Sequence, residues 1–250
     1  MTRQAPNDNN PPATPAKPRN KRMAPAERER QIIDGAIAYF SECGFSGQTR
    51  ELSSRLGITQ PLLYRYFDSK QALVERVYQT VFEGRWNPAW IAVLEDPSLP
   101  LGDRLIEFYR QYSAATYKPD WIRIYLHAGL TDPELNRRYL QLVRRHLMPV
   151  YCRELRRHCG VPHVDAEVSE EEIEFVWSLH GGIFYMALRQ HVYRTRIKVD
   201  FMTHVGFVVS NFLAGATTTY PQLLAQFAPE ALVAPKAPKA ADTPKAKARR

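Results

Sequence analysis

The side chains best equipped for chemistry in this 250-residue chain lie between Gln48 and Lys70, in the run QTRELSSRLGITQPLLYRYFDSK. Arg50 and Gln60 have the groups that read base edges, Arg toward guanine and Gln toward adenine. Thr49, Thr59, Tyr64, Tyr66 and Lys70 suit phosphate oxygens and, with Pro61, thymine methyls. Arg65 suits either a phosphate or an acidic neighbour. Catalysis has no such foothold: there is no G-x-S-x-G elbow, H-E-x-x-H pair, phosphate-binding loop or G-x-G-x-x-G turn, and Glu170 to Glu172 read as a solvated helix start. Cys152, His158, Cys159 and His163 could ligate zinc by type, but they lack a C-x-x-C pair, so neither a metal nor a cofactor is expected. The three cysteines read as reduced thiols, with redox sensing by Cys152 and Cys159 left open.

Two short helices and a tight turn must position the first group. Leu52 and Leu56 stand i, i+4 on one face, and Gly57 falls where a helix end wants a left-handed residue. Thr59 is an N-cap and Pro61 sits in the first turn of the next helix, where its missing N–H costs nothing. That helix is short, because Asp68-Ser69 caps a longer one opening at Lys70. Leu62, Leu63 and Phe67 form its inward face, leaving Gln60, Tyr64, Arg65 and Tyr66 outward. This is a helix-turn-helix, whose second helix enters the major groove. The spacing alone also fits an ordinary helical hairpin.

The run TRELSSRLGITQPLLYRYFDSKQAL resembles the DNA-binding motif of the TetR family of bacterial transcriptional regulators, over roughly residues 25 to 80. The matching features are Thr49, Gly57, Leu63-Tyr64-Arg65-Tyr66-Phe67 and Ser69-Lys70, in order and at fixed spacing. The resemblance implies that the positions singled out above contact DNA. It further implies a dimer built on the last two long helices, and a C-terminal pocket for a small, usually apolar effector.

A helix opening at Ala24-Pro25 supports the motif, with Ile32, Ile33, Ala36, Ile37 and Phe40 as its buried stripe and Gly44 as its end. A helix from Ser69 to about Trp86, with Leu73, Val77 and either Val81 or Phe82 inward, belongs to both halves and is the expected lever.

The formal charge of +8 resides in the tails. Residues 1–24 hold five basic residues against Asp8, and residues 228–250 hold six against Glu230 and Asp242, so the intervening body is neutral. Both tails read as disordered from composition. Lys17, Arg19, Lys21 and Arg22 are near enough in sequence to reach flanking phosphates, or are a solubilising tail. With no secretory-type apolar core and no run of 18 apolar residues, the expected location is the cytoplasm, away from membranes.

The remainder reads as helices punctuated by Pro and Gly. Leu101, Leu105, Phe108, Tyr109 and Tyr112 share one face; a second helix covers Trp121 to Leu130. Thr131-Asp132-Pro133-Glu134 caps a third, kinked at Pro149. A capping box at Ser169 to Glu172 opens a helix to about Tyr193, and Asp200 opens another that is apolar on nearly every side. A second copy of the chain, meeting these helices near 170–193 and 200–217, is the simplest burial for it; the centre of a monomer core is the alternative. Trp121, Tyr125, His127, Trp177, His180, Phe184 and Arg189 are the expected effector-lining residues, and they suit a flat or acyl-type apolar ligand with one polar end.

The fold class predicted is all-α, with a three-helix DNA-binding domain at 25–70 and a helical effector-binding and dimerisation domain at 71–227. The function predicted is a homodimeric repressor released from a double-stranded palindromic operator by a small molecule. The alternatives are an activator on the same fold, and a helical ligand or partner binder with only weak non-specific DNA affinity.

Overall fold

The computed structural model describes residues 23–131 and 133–234. Among these residues every regular element is helical, in agreement with the predicted class. The helices are α1 (Pro25–Cys43), α2 (Thr49–Arg55), α3 (Gln60–Tyr66), α4 (Lys70–Tyr78), α5 (Ala89–Glu95), α6 (Leu101–Thr116), α7 (Pro119–Thr131), α8 (Pro133–His146), α9 (Met148–His158), α10 (Glu170–His191) and α11 (Phe201–Phe227).

Local chemistry sets most of the boundaries. Gly57 ends α2 with φ at 64°, a conformation that a Cβ would strain. The side chains of Thr59, Ser69 and Asp200 accept backbone N–H bonds from the first turns of α3, α4 and α11. At α10 both halves of the capping box form: Glu172 N–H donates to Ser169 Oγ at 3.3 Å, and Ser169 N–H to the Glu172 carboxylate at 3.0 Å. Pro149 cannot donate a helical bond, and the helix expected to run from 133 to 159 breaks at Leu147 into α8 and α9. The cap expected at its start includes Asp132, which lies outside the described residues.

One apolar core runs from the N-terminal helices into the body. The buried stripe of α1 includes every expected residue and adds Tyr39. Helix α1 packs along α7 and α4, and at Gly35 of α1 a Cβ would stand 2.2 Å from Leu56 Cδ2, so α1 and the end of α2 approach closely. Beyond Tyr78, α4 widens into a π-turn (Gln79–Glu83), in which Gly84 N–H donates to Gln79 C=O at 2.7 Å. The turn buries both Val81 and Phe82, which the helical period had offered as alternatives.

Two sequence expectations need correction. Glu172 is buried, with Arg156 on one side and the Tyr220 hydroxyl on the other, each bonding its carboxylate. The partner on α9 removes it from the solvated helix start assigned to it. Order also extends past 228: Ala228 and Ala231 are fully buried, a short 3-10 helix spans Pro229–Leu232, and His163 N–H donates to Ala231 C=O at 2.9 Å. Residues 1–22 and 235–250, where the remaining tail assignments fall, lie outside the described residues. Helix α11 is not covered all round within one chain, since Phe207 is 58% exposed, so it is not the centre of a monomer core.

Candidate nucleic-acid interface and internal cavity

Helices α2 and α3 meet through a three-residue hydrogen-bonded cluster. Thr49 is buried at the first turn of α2, and its Oγ1 lies 3.0 Å from the Tyr64 hydroxyl and accepts from Gln60 Nε2 at 3.2 Å. Gln60 and Tyr64 are i, i+4 on α3, so one threonine fixes two successive turns of that helix. Leu63 and Phe67 anchor its other face in the core.

The outer surface carries Arg50, Thr59, Pro61, Tyr64 and Arg65 exposed, with Gln60 and Lys70 half-buried beside them. Two of the expected DNA-contact residues sit differently. Thr49 is turned inward, because its hydroxyl is taken up by Tyr64 and Gln60. Tyr66 is half-buried and packs on the core, since it flanks the Leu63–Phe67 face. Thr59 Oγ1 accepts from Leu62 N–H at 3.3 Å, and so both caps α3 and stands at its exposed entrance. Arg55 is held by Glu42 and Glu51, in exposed pairs that contribute little to stability but keep it from the outer row.

The body holds a partly open cavity of about 220 Å³. Of the residues expected around an effector, Trp121, Tyr125, Trp177, His180 and Phe184 line it together. His127 and Arg189 do not. His127 is two residues from Tyr125, so it faces the opposite side of α7, where a Cβ on Gly44 would meet its ring at 3.0 Å. Arg189 lies five positions after Phe184 on α10, and its guanidinium sits 5.5 Å from the Tyr185 ring centre on the outer face.

Tyr112, Tyr139, Leu140, Val143 and Gly181 complete the lining. Tyr112 and Tyr139 fall in apolar stripes of α6 and α8, and tyrosine where leucine would pack as well is the signal that sets them apart. Their hydroxyls bond to each other at 2.7 Å. His180 lies 3.3 Å from Tyr109 Oη through Nδ1, and 3.3 Å from Tyr117 Oη through Nε2. Burial pushes the imidazole down to about 4, so it is neutral at physiological pH. Cys152 is buried on α9, where its carbonyl accepts from Tyr220, and among the described residues no three His, Cys, Asp or Glu side chains are placed to hold a metal.

Residues 32–77 match the sequence profile of the bacterial regulatory proteins of the tetR family. The chain carries the tetR-family DNA-binding domain. That family consists of DNA-binding regulators and not enzymes; the body resembles solved structures in fold. A TetR-like transcriptional regulator from Rhodococcus sp. RHA1 superposes with a TM-score of 0.57 at 21% identity, over 78% of this chain and 100% of that one. A tetR-family regulator from Streptomyces coelicolor gives 0.54 at 21% identity, over 84% of this chain and 90% of that one. At such identities the likeness is one of fold.

The DNA-binding head and the cavity share side chains. Phe82, in the π-turn after α4, has its ring centre 5.1 Å from Trp121, 5.5 Å from Tyr139 and 6.4 Å from Tyr125. Arg138 of α8 donates to both Glu75 and Glu83 and lies 4.3 Å over the Tyr78 ring. Its hydrogen bonds and charge hold the Glu75 carboxyl below the ordinary range. Arg85, just past the π-turn, pairs with Asp120 at the start of α7. Helix α7 thus lines the cavity with Trp121 and Tyr125 and packs its other side on α1 of the head. No helix among the described residues is long and apolar enough to cross a membrane.

Proposed function

We propose that the chain is a homodimeric repressor that binds a palindromic operator and leaves it when a small, largely apolar effector enters the cavity. The observation that carries this reading is the row Gln60–Tyr64 on the exposed side of α3, held in place by Thr49. With Arg50 of α2 beside it, Gln60 meets base edges, and Thr59, Pro61, Tyr64 and Lys70 meet backbone phosphates and thymine methyls. Thr49 acts by positioning. Two such heads read successive major grooves about 34 Å apart, so the separation between protomers sets affinity.

The outer face of α10 and α11 supports the dimer. Tyr185 and Phe207 are each more than half exposed there, and a Cβ built on Gly206 meets open space, leaving room for a partner helix. The contacts of Phe82 with Trp121, Tyr125 and Tyr139 support effector control. A ligand that repacks those rings displaces the π-turn, and α4 carries the displacement to the head.

The test is binding to the DNA upstream of the chain's own gene at two salt concentrations, using wild type, Tyr64→Ala and a form lacking residues 1–22 and 235–250. Loss of the specific complex in Tyr64→Ala, with its retention in the truncated form, is expected. The reverse pattern would leave only non-specific attraction by the tails and end the regulator reading. Sedimentation of Phe207→Arg reports on the dimer, which this change should dissociate.

A further inference from the structure

A second concavity, separate from the aromatic cavity, lies where the head meets the body. It is an open cleft of about 260 Å³ lined by Ser41 and Glu42 of α1, Arg123 and His127 of α7, and Val192 and Arg194 just past α10. Arg123 and His127 are i, i+4 and so share one face of α7. Arg194 stands at φ 53°, the left-handed conformation that glycine or asparagine usually takes after a helix. An arginine is thus kept where a smaller residue would suit the backbone better.

The positive charge of this cleft is uncompensated. Arg123 commits only its Nε, to the His191 carbonyl at 3.1 Å. Its two terminal nitrogens and both ring nitrogens of His127 have no hydrogen-bond partner among the described residues, and none of the four is sealed from solvent. The one carboxylate in the wall, Glu42, is paired with Arg55 at 2.6 Å, and among the described residues no carboxylate pairs with Arg123, His127 or Arg194. Burial, together with the charges of Arg123 and Lys118, holds the neighbouring His191 below the ordinary histidine value, so the field of these cations reaches beyond the cleft itself.

The walls also limit the kind of ligand. Only Val192 is apolar, and no ring other than the imidazole lines the cleft, so an aromatic or acyl body finds little to pack against. Guanidinium groups match phosphate oxygens, which each can hold as a bidentate pair. At about 30 Å³ per water, 260 Å³ corresponds to roughly eight or nine waters, more than a bare oxyanion needs and enough for a sugar-sized polar group.

We propose that this cleft binds a small phosphomonoester, its phosphate between Arg123 and Arg194 and its polar body toward His127. Such a ligand touches α1, α7 and the end of α10 at once, so its occupancy favours one position of the head. The ligand site stands apart from the effector cavity; only its consequence for DNA rests on the regulator reading above.

The experiment is titration calorimetry of the full-length protein, without DNA and at fixed ionic strength, against ribose 5-phosphate, inorganic phosphate and ribose. Ribose 5-phosphate should bind saturably and more tightly than inorganic phosphate, and ribose should not bind. Arg123→Gln should weaken the phosphomonoester about tenfold, the worth of one charged hydrogen bond, and Arg194→Gln, at an exposed position, about threefold. Should Arg123→Gln not fold, Arg194→Gln decides. Absence of saturable binding overturns the proposal, as does binding that both variants leave unchanged, which would place the anion elsewhere on the chain. A lower salt slope of operator binding in Arg194→Gln, measured without phosphate, would assign the patch to the DNA backbone and overturn it likewise. Operator affinity at saturating ribose 5-phosphate is scored separately: an unchanged value keeps the ligand site and refutes its hold on the head.

Discussion

The Thr49 hydroxyl, buried at the start of α2, lies 3.0 Å from the Tyr64 hydroxyl on the exposed side of α3. A residue turned away from solvent therefore sets the aim of one turned toward it. Replacing it by valine keeps the volume and removes the hydrogen bonds to Tyr64 and Gln60. Thr49→Val should weaken operator binding about tenfold, the order of one lost base or phosphate contact, while leaving the helical spectrum intact. Fluorescence anisotropy with labelled operator measures this; unaltered affinity would show that the cluster has no part in recognition.

Lys70 and Gln60 should separate by kind of loss. Lys70→Gln should weaken binding to all sequences alike and reduce the log–log salt slope by about one unit. Gln60→Ala should leave the slope unchanged and relax preference at one base pair, at a cost of about 1–3 kcal/mol. Identical behaviour of the two variants over a salt series would contradict these roles.

His180 makes stability depend on pH. Its folded-state value of about 4 lies below the ordinary histidine value of about 6.5, so between these limits the unfolded chain binds the extra proton. Its contribution is whole above about pH 6.5 and is lost progressively as pH falls toward 4. The apparent melting temperature of His180→Phe should accordingly fall less than that of wild type across this interval. Parallel curves would mean that the imidazole is not held neutral by the fold.

Arg156 joins α9 to α10 through the Glu172 carboxylate and also donates to the carbonyls of Val164, Ala166 and Glu167. Removing one partner of a buried pair leaves the other charge uncompensated, so Arg156→Ala should cost about 3–5 kcal/mol. Urea unfolding monitored by circular dichroism reads this directly. A loss below 1 kcal/mol would mean that water reaches Glu172.

The caps were legible in sequence because one side chain and the next turn decide them: Thr59, Ser69, Ser169 and Asp200 behave as local rules require. So was the α3 motif, whose parts recur at fixed spacing. Face assignment within the body was harder. His127 and Arg189 are polar groups among apolar neighbours, as His180 is, and only the packing of α7 against α1 and the outer face of α10 separates them from the cavity. Helix α5 is seven residues long and follows Pro88, too short for a period to stand out. The burial of Glu172 depends on Arg156, sixteen residues away on another helix. No local pattern announces such a pairing.

The π-turn after Tyr78 makes the joint between head and body a matter of counting. Deleting one residue between Gln79 and Glu83 would close the wide turn to an ordinary helical one and move each later side chain of the turn to a neighbouring place in the ladder. Phe82 would then leave its place among Trp121, Tyr125 and Tyr139. A chimera that borrows this head to drive another sensor should therefore be spliced after Gly84, carrying the wide turn with it.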